Sequence, residues 1–145
     1  MSQERYPVLW IGQVAVVTLP AEIDVTNADT VRDELLAALN QSAVLLIADM
    51  SQTSFCDSSG VSAMLRVFRR AAASGSEMRM VVSTPAVQRV LSITGVDRLV
   101  DVFPSIAASL AGPVGQPDRG QPDRGQPDRG QPDSATVTAD TDGAA

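Results

Sequence analysis

With 145 residues the chain has room for one ordinary domain with its own core, not two. It has no histidine, one cysteine, a net charge of −6 and arginine as its only basic residue type. An internal disulfide is therefore impossible, the commonest metal ligand and general base are missing, and nucleic-acid binding is disfavoured. No run approaches the roughly 20 apolar residues that cross a bilayer, and residues 1–10 lack the basic start and apolar stretch of a secretion signal. A soluble cytoplasmic protein with protein partners, and with neither membrane nor direct nucleic acid among them, is the expectation.

In chain order, residues 8–11 and 14–19 are β-rich runs separated by Gly12-Gln13, which predicts an antiparallel hairpin. Thr26 followed by Asp29 resembles a capping box, and Val31, Leu35 and Leu39 recur at helical spacing, so a first helix is expected over 27–39. Residues 44–48 are continuously apolar, as in a central strand covered on both faces, and the run ends at Asp49. Val61, Met64, Leu65 and Phe68 mark the buried face of a second helix starting near Ser58 and Ser59 and ending at Gly75. Its other face carries Arg66, Arg69 and Arg70, read as solvated cations.

A strand over 78–82 follows, then Thr84-Pro85 as cap and first residue of a third helix whose Val87, Val90 and Leu91 face the core and which Gly95 stops. Residues 99–103 predict a last short strand and 105–111 a last helix. Strands alternating with helices after an opening hairpin give a mixed, mostly parallel sheet packed with about four helices, an α/β domain spanning 6–111. Residues 112–145 are different in kind. They contain the repeat QPDRG, with no apolar residue but proline between Gly115 and Asp133. Nothing there offsets the roughly 1–2 kcal/mol per residue of backbone entropy lost on ordering, so a disordered tail is expected.

The stretch that carries chemistry is Ser54-Phe55-Cys56-Asp57-Ser58-Ser59-Gly60-Val61, between the buried strand and the second helix. Read on its own it is a helix cap, with Asp57 or Ser58 bonding a free first-turn N–H. Cys56 is expected to pack, not to act as a redox sensor. A serine nucleophile at position 58 would need an adjacent base, and the chain has neither histidine nor lysine to supply one. No glycine-rich phosphate loop is present either. Neither an enzyme nor a cofactor is expected.

Residues 45–82, from the apolar strand through Asp49 and Asp57-Ser58-Ser59-Gly60 to the next strand, resemble the STAS domain of bacterial anti-sigma factor antagonists. Leu19-Pro20-Ala21-Glu22-Ile23-Asp24 is similar to the family's Leu-x-Gly-Glu-Leu-Asp segment, with Ala21 where glycine is usual. Residues 83–91 with Thr94-Gly95 are similar to its third-helix segment. The resemblance covers 6–111 and implies an STAS-like single domain. It also implies a cycle: the unphosphorylated antagonist binds an anti-sigma factor of the serine-kinase (GHKL) type and frees a sigma factor, that kinase phosphorylates the serine after the aspartate, and a PP2C-type phosphatase resets it.

On this chain the resemblance makes Ser58 the phosphorylation site, with Ser59 a supporting or minor one, and Asp24, Asp57, Ser58, Ser59 and Gly60 partner-binding. Asp57 is expected to orient the Ser58 hydroxyl, and the phosphate oxygens to be held by free N–H groups and the helix dipole. Asp24 and Asp49 are equally well read as solvated charges at the ends of elements. The other reading is a non-switching scaffold STAS domain in a stress-signalling complex.

Overall fold

The computed structural model describes residues 6–112. Strands β1 (Val8–Ile11) and β2 (Val14–Thr18) form the antiparallel hairpin, turning through Gly12 at φ +61°, which its missing side chain makes inexpensive. A two-residue strand, β3 (Glu22–Ile23), leads to helix α1 (Ala28–Leu39). Strand β4 (Leu45–Met50) and a second two-residue strand, β5 (Phe55–Cys56), precede helix α2 (Ser58–Ser74). Then come β6 (Glu77–Val82), α3 (Pro85–Thr94), a 3-10 turn at Val96–Arg98, β7 (Asp101–Phe103) and α4 (Ile106–Ala111).

The main sheet runs β1-β2-β4-β6-β7, antiparallel only between β1 and β2. Its central strand β4 is buried along its whole length, as its unbroken apolar run predicts. Alternation assigns the two faces. Ala15, Val17, Leu46, Ala48, Met80 and Val82 meet Val31, Leu35, Met64, Val67, Val87 and Leu91 of α1, α2 and α3. On the opposite face Val16, Leu45, Ile47 and Val81 meet Ile106 and Leu110 of α4.

A buried arginine holds α4 down. Arg79, 3% exposed on β6, ion-pairs with Glu77 at 2.7 Å, stacks over the Phe103 ring at 5.7 Å, and donates to the Ser109 carbonyl in the last turn of α4.

Four local expectations are corrected. The Thr26–Asp29 capping box does not form: the cap is Asn27, and the Thr26 hydroxyl donates to Asp24. Thr84 caps α3 in position only: its side chain makes no cap bond, and its hydroxyl donates to the Thr53 carbonyl at 2.8 Å. Val44 is 39% exposed and precedes its strand. Leu99, 56% exposed, follows the 3-10 turn, so the last strand starts two residues later than expected. The QPDRG segment lies outside the described residues.

Candidate functional site

The site is built on the two shortest strands. β3 and β5 pair in parallel, Glu22 with Phe55 and Ile23 with Cys56, as a small separate sheet. The loops before them are tied together: the Thr53 hydroxyl donates to the Pro20 carbonyl at 2.8 Å, and the Ser54 N–H to the Ala21 carbonyl at 2.8 Å. Ala21 therefore serves through its backbone. Because Ile23 and Cys56 are register partners, Asp24 and Asp57 leave their strands side by side, and the Asp57 N–H donates to the Ile23 carbonyl at 3.1 Å.

After β3 the chain turns on Asp24. One carboxylate oxygen accepts the Thr26 hydroxyl at 2.6 Å and the Thr26 N–H at 2.9 Å. These two bonds, the hydroxyl's first, hold the Asp24 carboxyl below the usual range and keep it ionised. Asn27 stiffens the turn, accepting from the Asp24 N–H at 3.0 Å and donating to the Glu22 carbonyl at 2.8 Å.

After β5, Asp57 takes an extended conformation and caps α2. Its carboxylate accepts the N–H of Ser59 at 2.9 Å and of Gly60 at 3.3 Å, while its carbonyl accepts from Val61 at 3.1 Å. Two expectations change as a result. The described hydrogen bonds of the Asp57 carboxylate go to backbone amides, not to the Ser58 hydroxyl, and those amides are no longer open to a phosphate. Ser58, first residue of the helix, is exposed, and among the described residues nothing bonds its hydroxyl.

Gly60 is buried, so it offers a partner no surface. A side-chain Cβ there would lie 2.5 Å from the Cys56 sulfur and 2.8 Å from a methyl of Ile23. Glycine is what lets the first turn of α2 sit on the small sheet. Cys56 is 3% exposed, and burial, followed by the nearby Asp57 charge, pushes its thiol up to about 11. It packs into the core, as expected.

The remaining candidates separate from this cluster. Asp49 is buried at 4% exposure, not solvated, and accepts the Ser51 N–H at 3.0 Å to close the turn after β4. Arg66, Arg69 and Arg70 are exposed on α2, with Arg70 reaching Asn40 at 3.4 Å. Ser59 and Arg66 line a groove of about 270 Å³ between α1 and α2, with Val25, Arg32 and Ala63. Composition and periodicity had not pointed to two apolar side chains beside the cluster, Val25 at 76% and Phe55 at 50% exposure.

The STAS domain family model matches residues 7–109. The chain belongs to the STAS domain family. Solved STAS structures have the same fold. One is a putative anti-sigma factor antagonist from Thermotoga maritima, 21% identical with a TM-score of 0.67, the match covering 72% of this chain and 91% of that one. Another is an anti-sigma factor antagonist from Mycobacterium paratuberculosis, at 24%, 0.67, 72% and 89%. A third is the Bacillus cell fate determinant SpoIIAA in its phosphorylated form, at 21%, 0.56, 72% and 96%. At these identities the likeness shows the STAS fold. No helix among the described residues is long and apolar enough to cross a membrane.

Proposed function

We propose that this STAS protein is a cytoplasmic anti-sigma factor antagonist, a binding module and not an enzyme. Unphosphorylated, it binds an anti-sigma factor of the serine-kinase (GHKL) type and frees a sigma factor. Phosphorylation of Ser58 ends binding, and a PP2C-type phosphatase restores it. The observation that carries this reading is the exposed Ser58, placed directly after the Asp57 cap on the edge that also presents Asp24.

The physics supports a switch confined to the surface. A phosphate adds about −1.5 to −2 charges. Since the Ser59 and Gly60 amides are already bonded to Asp57, the phosphate would stand outward beside the Asp57 carboxylate and leave the fold unchanged. A partner fitted to a hydroxyl would have to desolvate that dianion, and like-charge juxtaposition costs several kcal/mol. At about 1.4 kcal/mol per tenfold, affinity falls a hundredfold or more. SpoIIAA, which shares the fold, has been solved unphosphorylated and phosphorylated.

Incubation with the anti-sigma kinase and ATP tests the site. Intact-mass and peptide mapping should show one phosphate on Ser58, and Ser58→Ala should lose most of it. A phosphate mapped mainly to Ser59 or elsewhere would overturn the assignment. Stable assembly into a very large complex without phosphate turnover would favour the scaffold role.

A further inference from the structure

The hairpin is unlike the rest of the surface. Val8, Leu9, Trp10 and Ile11 are consecutive on the edge strand β1, yet they are 37, 58, 37 and 45% exposed. Edge strands normally carry a charge, a proline or a bulge that discourages pairing, and β1 has none within it. Residues 6–21 include no charged residue at all, in a chain of net charge −6.

The hydrogen-bond pattern makes the edge usable. In a hairpin closed by two residues, Ile11–Val14 and Leu9–Val16 are the hydrogen-bonded pairs, as the bond from the Thr18 N–H to the Pro7 carbonyl at 2.9 Å confirms one step further on. The N–H and C=O of Val8 and Trp10 therefore point away from β2. Among the described residues no strand pairs with that side.

We infer that β1 is a self-association edge, pairing antiparallel with β1 of a second copy about a two-fold axis at Leu9. In that register Val8 of each copy exchanges two hydrogen bonds with Trp10 of the other, so all the outward groups are used. Leu9, the most exposed of the four, faces Leu9 of the second copy. A two-fold contact needs the same patch on both sides, and a neutral apolar strand meets itself without repulsion between two acidic molecules. A charged partner would gain nothing from this stretch. One strand pair covers less than the roughly 800 Å² per partner of a standard interface, so the dimer is weak and concentration-dependent. The edge is independent of the Ser58 site.

Light scattering on the full chain over a hundredfold concentration range should show the mass rising from one copy toward two, and Leu9→Lys should stay at one copy with a wild-type circular dichroism spectrum. Leu9 lies in a non-hydrogen-bonded pair, with Cα atoms about 4.5 Å apart, within disulfide reach. Under mild oxidation Leu9→Cys should form a covalent dimer, whereas Ile93→Cys, 77% exposed on α3, should not. Should Leu9→Lys fail to fold, this cross-link decides alone. Monomer mass at every concentration would overturn the inference. So would masses beyond two copies, a Leu9→Lys variant that dimerises like wild type, or Leu9→Cys linking no faster than Ile93→Cys.

Discussion

Ile23 and Cys56 are register partners in a two-stranded sheet, and that single pairing brings Asp24 and Asp57, 33 positions apart in the chain, to one edge. The first turn of α2 rests on the inner side of this pair. Gly60→Ala should therefore do more than a surface change. Its methyl meets the Cys56 sulfur and Ile23, and overpacking of this kind costs about 1–3 kcal/mol. Thermal unfolding should show the loss, and partner affinity should fall with it because Ser58 moves with the turn. A Gly60→Ala protein with wild-type melting and binding would mean the contact is easily relieved.

Asp57 can be tested separately from Ser58. Removing the cap in Asp57→Ala should cost about 1 kcal/mol, which lowers Tm by about 4–8 °C in a domain of this size. Asp57→Asn keeps an acceptor for the Ser59 and Gly60 amides and should melt near wild type. If Asp57 also meets the partner, Asp57→Asn should bind measurably more weakly despite its intact cap. Equal binding would confine Asp57 to capping.

Much of this arrangement was legible in the chain. The hairpin, the continuous apolar run of β4, the amphipathic α2 and the Gly75 and Gly95 stops follow from periodicity and turn chemistry, and each is in place. The small sheet was not legible: two residues per strand carry no period, and its existence depends on loops tied by Thr53 and Ser54. The capping box failed for a related reason. Helix α1 starts one residue later than the box requires, with Asn27 at the cap position, and Thr26 is held back in the preceding turn by its two bonds to Asp24. Arg79 looked like an ordinary strand residue because its partners Phe103 and Ser109 are distant in sequence.

Cys56 gives a pH test. Its thiol is neutral in the folded protein up to about 11, against an ordinary value of 9.0. Between these values the unfolded chain binds fewer protons than the native one, so stability is full below pH 9 and declines as pH rises toward 11, by on the order of 2 kcal/mol. Denaturant melts across that range should show the decline in wild type and a shallower one in Cys56→Ala. Native Cys56 should also react slowly with thiol reagents at neutral pH. Fast labelling with altered partner binding would point to redox sensing.

The domain boundary is open to a direct cut. A chain ending at residue 111 should keep its cooperative unfolding and a Tm within a few degrees of the full chain, because the residues beyond it offer almost nothing apolar to bury. Loss of cooperativity would assign the QPDRG segment a part in the fold.

In the proposed switch a phosphate on Ser58, and not a change of fold, ends binding to the anti-sigma factor. Titration calorimetry of that partner with the unmodified chain and with the chain phosphorylated on Ser58 measures it most directly. The unmodified chain should bind tightly and the phosphorylated chain at least a hundredfold more weakly, with superimposable circular dichroism spectra. Equal affinities for the two forms would contradict it.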